Sequence, residues 1–573
     1  MADPLFALQP LFREAIRLAL GEQLAETDPM LRPSKHADFQ ANLALPLAKQ
    51  LKRPPRDVAL LLIEHLPESD LIERTEVSGP GFINVWLSKG YLSRALRESF
   101  VDLGLTPTVK PETVVIDFSS PNVAKEMHVG HLRSTILGDA LSRVFEAAGH
   151  RVIRQNHLGD WGTPFGMLIE HLLEVQVEAG ETSIKDLSAF YQEARKKFDS
   201  DAGFAERARF RVVALQAGDV ETLRLWKQLV SASMQYFNAI YRMLGVTLTD
   251  EHIAGESLYN PWLPEVVEEL RKRGFAVESD GAICVFLAGF EGRDEKPLPL
   301  IIRKQDGGYG YATTDMAAVR YRTQKLGATR ILYVVGAPQS QHLSMIFAAT
   351  KLVGWLMPPA RAEHVAFGAV LGADKKMFRT RAGETIRLVD LLNEAVSRAQ
   401  AVVVEKNPEL PPEVQDSIAR AVGIGAVKYA DLSNDRNKDY VFDWDRMLAF
   451  DGNTAPYLQY AHARIRSIFR KGNRELPNLE ALEVCAPEEK ALALTLLKFP
   501  AIVNDVVNTL EPHLICSYLY EVAATFSAFY ESCPVLKAGS EKERDSRLLL
   551  CELTARVLAK NLQLLGIEAP DRM

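Results

Sequence analysis

His128 and His131 stand three residues apart, with Gly130 between them, where an apolar strand-like run gives way to a helical stripe. Two imidazoles at a helix entrance suit an anion. Unpaired amide N–H groups and the positive helix end attract phosphate, and the rings donate further hydrogen bonds to its oxygens. Gly130, lacking a side chain, lets a flat base approach the backbone. A bare His-x-Gly-His is short, and two histidines near an exposed cap would look the same. A second cationic group lies far downstream, in the loop Asp374-Lys375-Lys376-Met377-Phe378-Arg379-Thr380-Arg381-Ala382-Gly383. Phosphate chemistry needs cations and hydrogen-bond donors already in place where negative charge develops. Solvated surface charge is the bland alternative for that loop.

The elements that must position these groups follow from periodicity. Thr113, Val114, Val115, Ile116 and Phe118 read as a strand, which Pro121 breaks. Leu132, Ile136, Leu137, Ala140, Leu141, Val144, Phe145 and Ala148 form a helical stripe that Gly149 stops. Arg151–Gln155 reads as the next strand, giving the strand–helix–strand unit of a parallel sheet. A second half opens at the glycine turn Asp306–Gly310 and continues through a helix with Met316, Ala317, Val319 and Tyr321. Strands at Arg330–Gly336 and Val365–Leu371 follow, the first ending in the polar loop Pro338–His342. Ligands in such sheets bind beyond the carboxyl ends of the strands. Between the halves, helices dominate from Phe165 to Leu244, and strands return at Gly281–Phe286 and Leu300–Arg303. The charged run Lys185–Phe210 reads as a solvated helix face.

The 573 residues are 47% hydrophobic and 25% charged, which fits several globular domains. The net charge of -7 excludes a globally basic nucleic-acid binder, so any such contact must use local patches. Of the cysteines, Cys485, Cys516, Cys533 and Cys551 lie near the end and Cys284 apart. None forms a Cys-x-x-Cys pair, so buried free thiols are expected, with no structural metal. Low cysteine usage fits a reducing cytoplasm. No signal peptide and no membrane-spanning stretch are expected.

Residues 1–110 read as a separate α+β module, closed by the proline-containing linker Thr106–Glu112. Its polar-aromatic loop Lys35–Gln40 is a candidate RNA contact or an exposed loop without a role. From about Ala373 the pattern is almost wholly helical, and its last helices suggest a bundle. Tyr457, Tyr460, Arg464, Arg466, Phe469 and Arg470 interleave aromatics with arginines, as suits stacking on unpaired bases.

Ser119-Ser120-Pro121-Asn122 before the histidines and Leu132-Arg133-Ser134 after them resemble the nucleotide signature of class I aminoacyl-tRNA synthetases. With Asn156-His157-Leu158-Gly159-Asp160-Trp161-Gly162, and with Gly79–Asn84 in the first module, the chain resembles the arginyl-tRNA synthetases over nearly its whole length. The resemblance implies a Rossmann-like parallel-sheet α/β domain over 111–385, split by a connective insertion at about 170–300. It further implies a helical junction over 386–450 and an all-α anticodon-binding bundle over 451–573, behind the N-terminal tRNA-binding domain.

It implies ATP-dependent activation of L-arginine and transfer to the terminal ribose of tRNA(Arg). ATP would lie against Pro121, Asn122, Val123, Ala124, Lys125, Glu126, Met127, His128, Val129, Gly130 and His131. The basic loop resembles a degenerate Lys-Met-Ser-Lys-Ser, in which Lys376 and Met377 match and the fourth position lacks lysine. The resemblance gives Lys125 that missing lysine's role, so His128, His131, Lys125 and Lys376 are the expected catalytic groups. It assigns Asp117, Tyr311 and Asp315 to the arginine guanidinium, whose five donors suit carboxylates. It assigns Asn122 and Gln339 to the amino and carboxylate end, and Tyr460 and Met573 to tRNA. Magnesium would arrive with ATP, the chain would act as a cytoplasmic monomer, and activation would require bound tRNA. A small nucleotidyltransferase with the same signature would lack the terminal modules. A non-catalytic tRNA-binding paralogue would not keep His128, His131, Lys125, Asp117 and Asp315.

Overall fold

The computed structural model describes residues 3–175, 187–292, 295–376, 378, 386–472 and 476–573. Leu31–Pro33 (β1), Phe39–Ala41 (β2), Ile72–Ser78 (β3) and Phe82–Leu87 (β4) form an antiparallel sheet in the order β1-β2-β4-β3. Helices Pro4–Leu20 (α1), Ala44–Leu51 (α2), Pro55–Glu64 (α3) and Lys89–Glu98 (α4) accompany it. Leu8, Phe12, Ala15 and Ile16 recur at helical spacing on α1 and are buried. The loop Lys35–Gln40 is partly structural. Asp38 accepts a hydrogen bond from Leu87 N at 2.6 Å and pairs with Lys490 at 2.8 Å, while Phe39 is buried. Lys35 and His36 alone in that loop are exposed.

The second unit, Thr108–Leu448 with Leu564–Ile567, is built on Thr113–Asp117 (β5). Val129–Ala147 (α5) and Arg151–Gln155 (β6) complete the expected strand–helix–strand unit. An insertion follows: helices Thr163–Glu174 (α6), Leu187–Ser200 (α7), Ala202–Gln216 (α8), Val220–Leu244 (α9), Glu256–Tyr259 (α10) and Leu263–Lys272 (α11). Ala276–Ser279 (β7), Ala282–Glu291 (β8) and Pro297–Arg303 (β9) then form a small antiparallel sheet. The charged run is not simply solvated. Lys197 pairs with Glu174, and Arg207 and Arg211 pair with Glu170, which is buried, so α7 and α8 are tied to α6.

Tyr311–Gln324 (α12), Arg330–Tyr333 (β10), Ser340–Leu352 (α13) and Arg361–His364 (β11) return to the main sheet. Its order is β11-β10-β5-β6, all parallel. β5 connects forward to β6 on one side, and β10 to β11 on the other. The sense of winding therefore reverses between β5 and β10, and sheets of this kind bind their ligands at such a point, beyond the carboxyl ends of the strands. β11 was not expected from its sequence, Arg361-Ala362-Glu363-His364, because an edge strand need not be apolar. Of the expected strand Val365–Leu371 only Val370–Leu371 (β12) is regular. After Leu388–Lys406 (α14) and Pro412–Leu432 (α15), β12 pairs in parallel with Tyr440–Val441 (β13). Trp444–Met447 (α16) follows.

Ala455–Gly472 (α17), Pro487–Leu497 (α18), Phe499–Thr509 (α19), His513–Ser532 (α20) and Glu541–Leu564 (α21) make the helical region near the end. Met1–Pro107, Ala449–Gln563 and Glu568–Met573 form one compact unit. Lys490 donates to Leu87 O at 2.9 Å, and Val484 N to Ser93 Oγ at 3.0 Å. Pro487–Thr509 is long and apolar enough to cross a membrane, with a mean hydropathy of 1.3, contrary to expectation. Over half of it is buried. Phe499 and Pro500 divide it, since proline cannot donate to the preceding turn and suits the start of a new helix. The expectation of buried thiols fails at Cys485, which is exposed; Cys284, Cys516, Cys533 and Cys551 are buried.

Candidate active site

The loop from β5 to α5 is held in an unusual backbone path. Ser119, Ser120 and Ala124 take positive φ of 72°, 49° and 61°. Each such residue costs about 1 kcal/mol or more unless its surroundings fix it. They do so here. Ser119 N donates to Ser134 Oγ at 2.9 Å, Ser120 N to Asn156 Oδ1 at 3.0 Å, and Ala124 N to Ser233 Oγ at 2.9 Å. The Tyr241 hydroxyl meets Ser119 Oγ and Asn156 Nδ2 at 2.7 and 3.0 Å. Helix α9 of the insertion, which carries Ser233 and Tyr241, is thus a wall of this loop. Val123 N and Gly159 N bond across to Gly159 O and Pro121 O. A Cβ on Gly159 would lie 2.2 Å from Asn122 Oδ1, so this glycine makes room for the exposed Asn122 side chain.

His128 caps α5 and His131 completes a capping box. Gly130 N donates to His128 Nδ1 at 3.0 Å, and His128 N donates to His131 Nδ1 at 3.1 Å. A Cβ on Gly130 would sit 2.7 Å from His128 Cε1, so the glycine is what allows the ring to fold back. Both Nδ1 atoms are acceptors, which places the proton of each neutral ring on Nε2. The rings lie 4.0 Å apart. Burial, with Lys125 nearby, lowers His128. Burial and then His128 bring His131 down to about 3. Both are therefore neutral at pH 7, each with one Nε2–H to donate.

The expected arginine ligands divide. Asp117 ends β5, but its carboxylate already holds a guanidinium. Arg322 Nη2 lies 2.7 Å from Oδ2, and Ser120 Oγ donates to Oδ1 at 3.0 Å. Arg322 is fully buried and also donates to Gln155 Oε1 at 2.6 Å. Both carboxylate oxygens of Asp117 thus have partners within the protein, one of them a residue of α12. Asp315, one turn after the exposed Tyr311, accepts a bond at Oδ2 from His342 Nε2 at 2.6 Å. That bond raises His342 against the opposing effect of burial. Gln339, in the turn after β10, and Gln341, in the first turn of α13, are both exposed. Asp117 and Tyr333 are register partners at the ends of β5 and β10, so His342, Asp315 and the histidine helix issue from one edge of the sheet.

Glu256, at the start of α10, went unnoticed in the sequence. Burial, then Asp160, then Asp315 push its carboxyl up to about 8. Asp160 is fixed by Ser257 N and Oγ at 2.8 and 2.6 Å. Asp160 and Asp315 thus both act on Glu256, and each favours its protonated form. Gly255 beside it makes room for this arrangement: a Cβ there would lie 2.4 Å from Asp160 Oδ2.

Lys376 is exposed in a turn after β12, where Gly372 N donates to Lys376 O at 2.8 Å. Phe378 stacks on Phe442 at 4.8 Å. Met377 and residues 379–385, with Arg379 and Arg381, lie outside the described residues. The far limb of the loop returns to the histidine helix, because Val129 N donates to Ile386 O and Leu388 N to Met127 O. Lys125 is exposed, and its Nζ lies 4.6 Å from the centroid of the Tyr191 ring. Arg133 on α5 is buried. It pairs with Asp431 at 3.1 Å and donates to Gly368 O and Lys438 O, so it ties α5 to the segments flanking β12 and β13.

In the other unit, Tyr460 is 46% exposed on α17. The chain end runs along the same helix. Gln459 donates to Glu568 O at 2.8 Å, His462 Nδ1 lies 3.1 Å from Pro570 O, and Arg470 donates to Asp571 O at 2.9 Å. The tail that leads to Met573 is thus held against the helix that carries Tyr460.

Residues 101–444 match the family model of the class I (R) tRNA synthetase catalytic domain. Residues 458–573 match the DALR anticodon-binding domain, and residues 7–87 the arginyl tRNA synthetase N-terminal domain. The arginine–tRNA ligase of Thermobifida fusca is 57% identical, with all of both chains covered. That of a Synechococcus species is 48% identical, again over all of both chains. Among solved structures, the arginyl-tRNA synthetase of Plasmodium falciparum superposes with a TM-score of 0.85 at 31% identity, covering 99% of each chain. That of Thermus thermophilus gives 0.81 at 26% identity, covering 99% of this chain and all of the other.

Proposed function

The chain belongs to the arginyl-tRNA synthetases, enzymes that join L-arginine to tRNA at the expense of ATP, and from that premise we propose how its own residues divide the work. The observation that carries the reading is the histidine capping box, with two neutral Nε2–H donors at the amino end of α5. In the first step the arginine carboxylate attacks the α-phosphorus of ATP. The bond to the bridging oxygen breaks, pyrophosphate leaves, and arginyl-adenylate remains. Negative charge grows on the phosphate oxygens, where preorganised donors act most strongly. His128 and His131 supply hydrogen bonds there without carrying charge. Lys125 and Lys376 supply positive charge from opposite sides of the nucleotide. In the second step a ribose hydroxyl of the terminal nucleotide attacks the adenylate carbonyl, AMP leaves, and the ester forms.

The nucleotide lies along the segment from Pro121 to His131. Asn122, supported by Gly159, takes the amino end of arginine, and Gln339 its carboxylate. Asp315 and Glu256 take the guanidinium, with Tyr311 against its flat face. Asp117 is not a ligand in this scheme; it holds Arg322, and through it α12. Magnesium enters as the MgATP substrate complex. The tRNA reaches the unit carrying Tyr460 and Met573 with its anticodon. Activation waits for bound tRNA, the chain acts as a monomer, and it works in the cytoplasm, where its tRNA substrate is.

The test is direct. Purified protein supplied with arginine, MgATP and tRNA(Arg) forms arginyl-tRNA, and arginine-dependent pyrophosphate exchange stays near background until tRNA is added. Charging with an amino acid other than arginine, or none with any, would overturn the reading. Strong exchange without tRNA would remove the ordered step alone.

A further inference from the structure

Lys125 follows Ala124, whose positive φ and bond to Ser233 fix where the lysine leaves the loop. Its ammonium has no carboxylate within ion-pair distance among the described residues. It lies instead over the ring of Tyr191, 4.6 Å from the centroid. It is close enough to both imidazoles to lower them electrostatically. Tyr191 belongs to α7, which is anchored independently of the lysine. Phe190 packs on His171 at 4.8 Å, Ala194 is fully buried, and Lys197 pairs with Glu174 of α6 at 2.9 Å. The ring is half-buried and so presents a defined face.

We propose that Tyr191, carried by the insertion, is a positioning residue that holds the Lys125 ammonium ready for ATP phosphate. The chemistry favours an aromatic ring for this task. A carboxylate would hold the lysine more firmly, but would neutralise it and compete with the incoming phosphate. A π face attracts the cation through its quadrupole and leaves the charge available. It also limits the many rotamers of a long exposed side chain, whose ordering otherwise opposes transition-state contact. The insertion thereby takes part in the activation step. This inference rests on the reading of Lys125 as the replacement for the absent second lysine.

The test uses the full-length protein with tRNA(Arg), followed by arginine-dependent pyrophosphate exchange. A cation–π contact corresponds to about a threefold to thirtyfold effect on placement. Tyr191→Leu and Tyr191→Met are expected to lower kcat within that range and leave the KM for arginine unchanged. Tyr191→Phe, which keeps the face, is expected to stay within about twofold of the parent. Phenylalanine analogues of increasing fluorination at position 191 lower kcat stepwise at nearly constant size, which a packing role would not produce. In a Lys125→Met background, Tyr191→Leu is expected to add nothing. If Lys125→Met is impaired but the fluorinated series is flat, or the two losses multiply, the role of Tyr191 is wrong and that of Lys125 stands. If Lys125→Met exchanges at the parent rate, the lysine reading falls and the positioning role with it.

Discussion

His342 Nε2 lies 2.6 Å from Asp315 Oδ2, so the carboxylate proposed to receive the substrate cation is already bonded to a group that can itself become a cation. The hydrogen bond to Asp315 raises His342 above its ordinary 6.5, with burial opposing. The pair's contribution to stability is therefore fully present below that ordinary value, and is lost as pH rises through the raised one. Arginine binding has the opposite dependence, because the imidazolium competes with the guanidinium.

The expected consequence is that KM for arginine falls as pH rises through the His342 titration, by up to about tenfold per pH unit on its acid side. His342→Asn should remove this residue's share of the profile and leave the share that Glu256 contributes. Initial rates of charging at saturating ATP and tRNA, from pH 6 to 9, check it. An arginine KM that does not change with pH in the parent protein would show that the pair does not govern entry.

The histidine helix gives a contrasting pH expectation. His131 stays neutral down to about 3 and His128 titrates below 6.5, so both keep their Nε2–H donors throughout the neutral range. Adenylate formation should lose nothing to protonation of these rings between pH 7 and 8. His131→Ala removes a donor at the developing charge and should slow activation by about 10²- to 10³-fold. Loss of its share of the capping box should cost only about 1 kcal/mol of stability. Single-turnover rates and thermal unfolding of the same variant separate the two effects.

Asp117 and Asp315 should respond differently to substitution. Asp315→Ala removes the carboxylate proposed for arginine and should raise its KM about ten- to hundredfold, with the KM for ATP unchanged. Arg322→Met strands the buried Asp117 charge and should destabilise the protein by about 3–5 kcal/mol. Asp117→Asn should lower stability more than it weakens arginine binding. Calorimetric unfolding beside steady-state kinetics decides the matter: an arginine-binding defect in a fully stable Asp117→Asn would return that residue to the substrate.

These contrasts also mark what the sequence could reveal. The strand, the loop and the histidine helix were legible because each is signalled within its own few residues: Val114 to Ile116 apolar, Pro121 breaking, Gly149 stopping. The pairing of Asp117 with Arg322 was not legible, because Arg322 lies 205 residues further on and local pattern says nothing about what crosses the sheet. Glu256 was missed for the same reason, since the acids that raise it come from a different segment and from α12. The helix pair α18 and α19 read as one helix because hydropathy varies smoothly where Pro500 interrupts the backbone. The joining of the first module to the terminal helices rests on Lys490, Ser93 and Asp38, none of which stands out in sequence.

Glu256 supplies the most demanding expectation. Burial, then Asp160 and Asp315, raise its carboxyl to about 8, so in the free protein it is mostly protonated at pH 7. Between its ordinary 4.5 and about 8, the folded protein holds a proton that the unfolded chain has released. Its contribution to stability is thus complete below the lower value and is lost as pH rises through the upper one. A guanidinium placed against Asp315 and Glu256 reverses the balance, because a nearby cation favours the ionised carboxyl. Arginine binding at pH 7 should therefore release up to about one proton from Glu256, with a further fraction from any His342 that the substrate displaces. Titration calorimetry in two buffers of different ionisation enthalpy measures that release. Glu256→Gln should abolish its own share, and the double variant with His342→Asn should bring the release close to zero. Arginine binding with the same heat in both buffers would mean that the guanidinium never reaches Glu256, and its recognition would then rest on Asp315 and Tyr311 alone.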